Sequence, residues 1–109
     1  MKIINLTPHD IYIVDESGNV ICTYPASGEV ARIKMTTEQA GVLPDGTPLS
    51  KTEFDPSTIE GLPAPQGNTR YIVSVLLKNA CPDRSDLLVP AEQVRDEKGR
   101  IVGCRSLGV

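Results

Sequence analysis

Aromatic residues are nearly absent from this chain. Its 109 residues include no Trp, one Phe and three Tyr, so aromatic residues make up only 4% of the sequence. The hydrophobic core therefore has to be built from Ile, Val and Leu. A chain of this length supports one modest core. We accordingly predict a single domain over residues 1–109.

Cysteine and histidine are also scarce. Cys22, Cys81 and Cys104 lie far apart, and His9 is the only histidine. An odd number of widely spaced thiols argues against a disulfide framework, and no spacing typical of a zinc site occurs. Glycine-rich phosphate loops are missing as well. We predict no metal site, no cofactor and a reducing, cytosolic compartment.

Long apolar runs and an excess of positive charge are the remaining absences. No apolar stretch approaches the roughly 20 residues that a membrane span needs, and residues 1–5 resemble a strand rather than a signal peptide. The net charge is -3, which gives no general electrostatic attraction to nucleic acids. We therefore predict a soluble protein that binds neither a membrane nor a DNA or RNA polymer directly.

Glycine and proline are plentiful, with nine of each. Frequent turns between short apolar runs predict a mainly β fold, namely a small barrel or sandwich of about seven short strands with at most one or two short helices. The strands that we predict span residues 2–5, 11–14, 20–24, 30–35, 70–77, 86–90 and 100–104, with an uncertain one at 47–54.

Several local expectations accompany this fold. Residues 37–40 suit one helical turn, and the segment from 43 to 68, rich in Pro and Gly, suits a long surface loop. Residues 74–80 favour a short helix stopped by Pro82, while Pro90 is expected to end its strand. Gly103, inside a strand pattern, indicates a bulge or a close backbone approach.

His9 is the one residue with the chemistry of a general base at neutral pH. An enzyme could use it with Asp86, Ser27 or Cys104. The alternative is that Thr7-Pro8-His9-Asp10 is a turn whose polar side chains bond to the nearby backbone. Neighbouring residues of an extended segment also face opposite ways, which places His9 and Asp10 poorly for a proton relay.

Arginines offer a second kind of chemistry. Arg32, Arg70 and Arg84 lie in or beside predicted strands, and a guanidinium suits bidentate contacts with phosphate or carboxylate groups. The alternative is that Arg84 pairs with a neighbouring aspartate and that the other two cover solvent-facing surfaces.

An ordered series of motifs runs along nearly the whole chain. It consists of Asn5-Leu6-Thr7-Pro8-His9, the segment 25–32, Gly61-Leu62-Pro63, Tyr71-Ile72-Val73-Ser74, the segment 84–90 and the segment 94–104. The series resembles a family of small uncharacterised proteins from bacteriophages, prophages and bacteria. The resemblance implies a phage-associated accessory protein in the cytoplasm of a bacterial host cell.

The resemblance also selects polar positions for a ligand site. These are His9, Ser27, Arg32, Tyr71, Arg84 and Asp86. By analogy with small phage proteins that block host factors, the first hypothesis is a non-enzymatic protein that sequesters an anionic, nucleotide-like ligand or a host defence protein. The alternatives are a small hydrolase based on His9 and a structural or assembly protein of a virion. Homo-oligomers are compatible with all three.

Overall fold

Eight strands and one short α-helix make up the secondary structure of the computed structural model, which describes residues 1–109. The strands are β1 (Lys2–Asn5), β2 (Ile11–Val14), β3 (Val20–Tyr24), β4 (Met35–Val42), β5 (Pro48–Phe54), β6 (Thr69–Ile72), β7 (Leu87–Arg95) and β8 (Ile101–Gly108). Helix α1 spans Val75–Ala80, and a 3-10 turn spans Pro56–Thr58. The predicted mainly β fold is confirmed.

Six of the strands form one sheet in the order β1-β6-β7-β8-β2-β3. The β7–β8 and β2–β3 pairs are antiparallel hairpins, as predicted, whereas β1–β6, β6–β7 and β2–β8 are parallel. A further parallel bridge joins Asn5, at the end of β1, to Ala26, just after β3. Because β1 and β3 are the two edges of the sheet, this bridge curls the sheet towards a barrel.

The parallel pairing of β6 with β7 requires a crossover, and α1 provides it. The helix begins after Ser74, whose Oγ accepts a hydrogen bond from the Leu77 amide. This cap satisfies one of the free N–H groups of the first turn. The helix ends at Ala80, shortly before Pro82, which cannot continue it.

The core lies between α1 and the β1–β6–β7 part of the sheet. Its centre is a cluster of six buried residues, namely Leu6, Ala31, Tyr71, Val73, Leu77 and Leu87. Leu77 reaches it from the helix and is fully buried. Residues from early, middle and late parts of the chain thus share one core, which surrounds the end of β1.

Strands β4 and β5 form a separate two-stranded sheet, which we call the arm (residues 35–54). All of its residues except Phe54 are exposed. Met35, Val42, Leu43 and Leu49 are among the exposed large hydrophobic residues of the chain. The arm therefore adds nothing to the core.

Two predictions about the middle of the chain were wrong. Residues 37–40 are not a helical turn but part of β4, where Thr37 pairs with Thr52 across the hairpin. An isolated helical turn is unfavourable in water, whereas β-branched threonines suit a strand with a partner. The loop predicted over 43–68 is limited to residues 55–68, because the hairpin tip and β5 occupy the first part of it. Strand β5, Pro48–Phe54, confirms the candidate strand at 47–54.

Residues 30–34 form no strand, although their apolar positions alternate as predicted. Ala31 is buried and Ile33 packs against the core cluster. The only ladder contact is a bridge between Arg32 and Glu60, with both N–H···O distances 2.9 Å. The alternation was therefore correct, but no neighbouring strand is present to extend the pairing.

Three other strand boundaries differ from the prediction. Strand β8 continues to Gly108 instead of ending at residue 104. Strand β6 ends at Ile72, because Ser74 caps α1, which confirms the short helix predicted at 74–80. Strand β7 continues through Pro90 to Arg95. Strand β7 has β8 along one side, whereas on its other side β6 pairs only with Leu87 and Leu88. The backbone nitrogen of Pro90 points to this second side, beyond the end of β6, where a missing N–H is tolerated.

Gly103 makes the close approach that its position predicts. A Cβ atom there would lie 2.9 Å from the carbonyl oxygen of Tyr12 and 3.0 Å from Cγ1 of Val14. Glycine at this point lets β8 lie directly against β2.

Candidate functional site

The Asn5 side chain organises the turn that carries His9. Its Nδ2 donates to the carbonyl oxygens of His9 (2.7 Å) and Tyr24 (2.9 Å), and its Oδ1 accepts from the amide and hydroxyl of Thr7 at 2.9 and 2.7 Å. The residue is only 2% exposed, so these bonds satisfy a buried amide. The Asn-Leu-Thr-Pro-His motif is thereby explained as a turn that locks the end of β1.

His9 and Ser27 lie near this same turn and are both exposed. The Ser27 amide donates to the Asn5 carbonyl (3.1 Å), and its hydroxyl bonds to the backbone of Glu29. The His9 imidazole forms no hydrogen bond or ion pair with a carboxylate, hydroxyl or thiol. The motif thus brings the backbones of His9 and Ser27 together without a catalytic contact between their side chains.

Arg84 and Asp86 form a bidentate ion pair beside the core. Arg84 Nε lies 2.9 Å from Asp86 Oδ1, and Arg84 Nη2 lies 2.8 Å from Oδ2. Arg84 Nη2 also donates to the Pro63 carbonyl at 2.9 Å. The side chains are only 19% and 14% exposed. This pair therefore fastens the loop at Pro63 to the sheet.

The same hydrogen bonds set the ionisation of both groups. They hold the pKa of Asp86 below its ordinary value and raise the pKa of Arg84, while partial burial of each side chain opposes the shift. Arg84 therefore stays charged, with its Nε and Nη2 donors engaged by Asp86 and the Pro63 carbonyl. A ligand anion would have to compete with Asp86 for it.

Tyr71 lies next to this pair, within the core. It is 1% exposed, its amide donates to the Asp86 carbonyl at 3.0 Å, and its hydroxyl has no hydrogen-bond partner. An unpaired buried hydroxyl costs free energy. Tyr71, Arg84 and Asp86 are therefore brought together, but around the core and not around an open site.

Arg32 lies in a different setting, in an open cleft of about 420 Å³ at the base of the arm. Its guanidinium forms no hydrogen bond or salt bridge with the protein. The cleft is also lined by one further cation, one carboxylate, apolar walls and hydroxyl groups, contributed by Lys34, Glu60, Phe54, Leu76, Thr58 and Ser74. This cleft is the one place where a predicted site residue has a free charged group in a concave surface.

Lys34 strengthens the positive charge of the cleft. Its Nζ lies 3.9 Å from Glu60 Oε1, and both side chains are 69% exposed. Such an exposed, long ion pair contributes little free energy, so Lys34 is available to a ligand. Thr58 Oγ1 accepts a hydrogen bond from the Lys34 amide at 3.0 Å and donates to the Asp55 carbonyl, which orders the wall beside it.

Lys34, Phe54 and Leu76 were not among the predicted site residues. The alternation in the 30–35 segment contained a signal for Lys34, because Arg32 and Lys34 are two residues apart and share one face of an extended chain. Phe54 and Leu76 come from the arm and the helix. Their position depends on how those elements pack, which no local pattern specifies.

The residues that a hydrolase would need are not assembled around His9. Cys104 is 2% exposed, and burial raises the pKa of its thiol, which disfavours the reactive thiolate. Asp86 is engaged by Arg84. No three His, Cys, Asp or Glu side chains lie close enough to hold a metal ion.

Comparison of the chain with protein-family models, with curated proteins and with solved structures found no match. Membership of the phage-associated family thus stays a prediction. No helix of the structure has the length and apolar character required to cross a bilayer.

Proposed function

We propose that this chain is a binding protein that captures a small anionic ligand in the cleft lined by Arg32 and Lys34. The observation that carries the proposal is the free guanidinium of Arg32 in a concave surface beside a second cation. Anions bind where cationic donors converge, and arginine contacts phosphate through two parallel hydrogen bonds.

The other walls favour a nucleotide-like ligand over inorganic phosphate. Phe54 and Leu76 offer apolar surface for a base, and Glu60 offers a carboxylate for ribose hydroxyls. The volume of about 420 Å³ lies within the range of small-molecule sites. A phage-associated role in the bacterial cytoplasm, in which the protein sequesters such a ligand, belongs to the same proposal.

The proposal revises the set of residues that bind the ligand. Arg32 keeps its predicted role and gains Lys34 as a partner. Arg84, Asp86 and Tyr71 support the fold, since the ion pair holds Pro63 and Tyr71 fills the core. His9 and Ser27 are assigned to the turn that the Asn5 side chain stabilises and not to the ligand site.

The test is a thermal-shift and calorimetric comparison of ADP-ribose and a cyclic dinucleotide with uncharged adenosine. A ligand that binds only the native state raises its apparent stability. We expect stabilisation by at least one phosphate-containing ligand and little by adenosine. Arg32→Gln should weaken binding about tenfold or more, since one charge-assisted contact is worth at least ~1.4 kcal/mol.

Arg105→Gln is the matched control, because Arg105 is an exposed arginine on β8 that does not line the cleft. It should bind as the parent protein does. The proposal fails if no phosphate-containing ligand stabilises the protein, or if Arg32→Gln and Arg105→Gln bind equally well.

A further inference from the structure

The arm is a hairpin that is almost entirely exposed to solvent, although hairpins without a packing partner are seldom stable. Nineteen of its twenty residues, 35 to 54, are exposed, and a two-stranded hairpin alone is marginally stable in water. The Cα radius of gyration is 17.1 Å, against about 13 Å for a compact domain of this length. An exposed ribbon with apolar side chains indicates a surface that another protein covers.

The two edges of the arm differ in how well they could receive another strand. Strand β4 contains a bulge between Gln39 and Gly41, and bulges bend an edge away from further pairing. Its only charged residue is Glu38. Strand β5 has no irregularity of its own and carries both signs of charge, at Lys51 and Glu53, whose exposed side chains form an ion pair along the strand at 2.9 Å.

The backbone of β5 also has hydrogen-bonding groups to offer. The Asp55 amide donates to the Lys34 carbonyl at 3.4 Å, and Thr36 Oγ1 donates to the Glu53 carbonyl at 3.5 Å. The backbone N–H and C=O groups of Glu53 and Asp55 therefore point towards β4. Hydrogen-bonded and non-bonded positions alternate along an antiparallel ladder. The N–H and C=O groups of Ser50, Thr52 and Phe54 therefore point outward.

Strand β5 is complementary to itself in the antiparallel direction. If β5 pairs with the same strand of a second copy about Thr52, the two Thr52 residues exchange N–H···O bonds. Lys51 then lies opposite the partner's Glu53, and Glu53 opposite the partner's Lys51. Opposite charges directly across a strand pair are stabilising. The single charge of β4 offers no such match.

The surface beside β5 fits the continuation of the partner strand. A cleft of about 510 Å³ lies between the base of β5 and α1, with apolar lining from Phe54, Pro56, Leu76 and Ala80. In the same register the partner's Leu49 lies opposite Asp55, next to this cleft. Leu49 is 41% exposed and Leu76 is 48% exposed, so the pairing would cover apolar surface on both copies.

We propose that a second copy of this chain docks on the free edge of β5, with a two-fold axis at Thr52. The result is a four-stranded sheet in the order β4-β5-β5-β4 with an α1 helix beside each half. The contact is isologous, as in most homodimers.

The decisive variants are Thr52→Pro and Thr37→Pro. The two threonines pair with each other across the hairpin, and both N–H groups point outward, but from opposite edges. Proline removes one outward donor in each case and spares the bonds between β4 and β5. Thr37→Pro is therefore a matched control for the strain of proline in a strand.

The measurement is the mass of the full chain by sedimentation velocity at about 50 μM, far above the Kd of a nanomolar complex and suited to a micromolar one. The parent protein should have at least twice the 11.8 kDa monomer mass. Thr37→Pro should retain that mass and Thr52→Pro should lose it, with circular dichroism showing that both are folded.

Charge reversal gives an independent test. Lys51→Glu places like charges across the axis and should raise the dissociation constant about tenfold or more, whereas Lys51→Glu with Glu53→Lys restores opposite pairs and should recover dimerisation. The proposal is overturned if the parent is monomeric, which would leave the arm to a different protein. It is also overturned if the two proline variants have the same mass, or if the double variant dissociates like the single one.

Discussion

The six-stranded body and the β4–β5 arm hold their strands together by different means. All twelve buried residues of the chain lie in the body and none lies in the arm. The body combines a core, a buried amide at Asn5 and a partly buried ion pair. The arm has a backbone ladder and one exposed ion pair, Lys51–Glu53, which contributes little free energy. The stability of the chain is therefore concentrated in the body.

Two glycines show the same contrast at the level of the backbone. Gly61, in the body, has φ +78, and a Cβ there would lie 2.5 Å from the Val30 carbonyl oxygen. Gly46, in the arm, has φ +94, with open space around it. Both need the left-handed conformation that favours glycine, but only Gly61 also needs the lack of a side chain.

Truncation of a core residue should give the largest effect. Leu77→Ala is expected to lower the free energy of unfolding by about 2–5 kcal/mol, because it removes buried methyl groups and leaves a cavity. Leu43→Ala, in the arm, should cost less than about 1 kcal/mol, since Leu43 is 43% exposed. Urea unfolding followed by circular dichroism measures both, and equal losses would show that the arm belongs to the core.

The two glycines provide the next test. Gly46→Ala should cost about 1 kcal/mol for the left-handed backbone alone. Gly61→Ala should cost at least about 2 kcal/mol more, because its Cβ also clashes with a carbonyl oxygen. Thermal unfolding of the two variants gives the difference, and similar melting temperatures would refute the close approach at Val30.

The Arg84–Asp86 pair predicts a specific response to acid. Arg84 depresses the pKa of Asp86 in the folded state, so the contribution of the pair is complete above the unfolded value of about 4 and is lost as pH falls through the lower, folded value. Asp86→Asn should therefore lower the free energy of unfolding by about 1–3 kcal/mol at pH 7. Below about pH 4 the free energy of unfolding should fall less steeply with pH in the variant than in the parent protein.

Asp45→Asn in the arm is the control for this acid response. Hydrogen bonds from Thr47 lower the pKa of Asp45 as well, but Asp45 is exposed in a turn. We expect its replacement to change the acid limb of a melting-temperature profile less than Asp86→Asn does. An Asp86→Asn profile parallel to that of the parent protein would contradict the role of the pair.

The smallest effect should come from Tyr71→Phe. The change removes a buried hydroxyl that has no partner and leaves the ring in place. The free energy of unfolding should stay the same or rise by up to about 1 kcal/mol. A loss of more than about 1 kcal/mol in urea unfolding would reveal a hydrogen bond to the hydroxyl, for example from a buried water.

The strands of the body were predictable because local pattern and pairing agree there. The hairpin of Ile11–Val14 with Val20–Tyr24 has two β-branched runs around a Gly-containing loop, and turns of this kind are encoded locally. In the arm, the second strand was expected at 47–54 and is present as Pro48–Phe54, but the first strand was missed because Glu38 and Gln39 suit a helix as well as a strand. Its identity as a strand depends on the partner from Pro48 to Phe54.

The candidate site was less predictable than the fold. For Arg84 the sequence offered two roles, ligand binding or pairing with a neighbouring aspartate, and the structure shows the pairing, with Asp86. The further bond from Arg84 to the Pro63 carbonyl and the cleft around Arg32 depend on contacts between distant residues, which no local pattern specifies. His9 was conspicuous as the single histidine, yet Asn5 makes the hydrogen bonds of that motif.

The parallel pairing of the first strand has a consequence for the order in which the protein can form. Lys2 pairs with Thr69, and Ile13 with Cys104, so contacts between distant residues complete the sheet. Chains dominated by such contacts fold slowly. On the ribosome, the first strand to be made has no partner until two thirds of the chain has emerged, whereas the β2–β3 hairpin and the arm can pair as soon as they are synthesised. Closure of the sheet has to wait for the last strand.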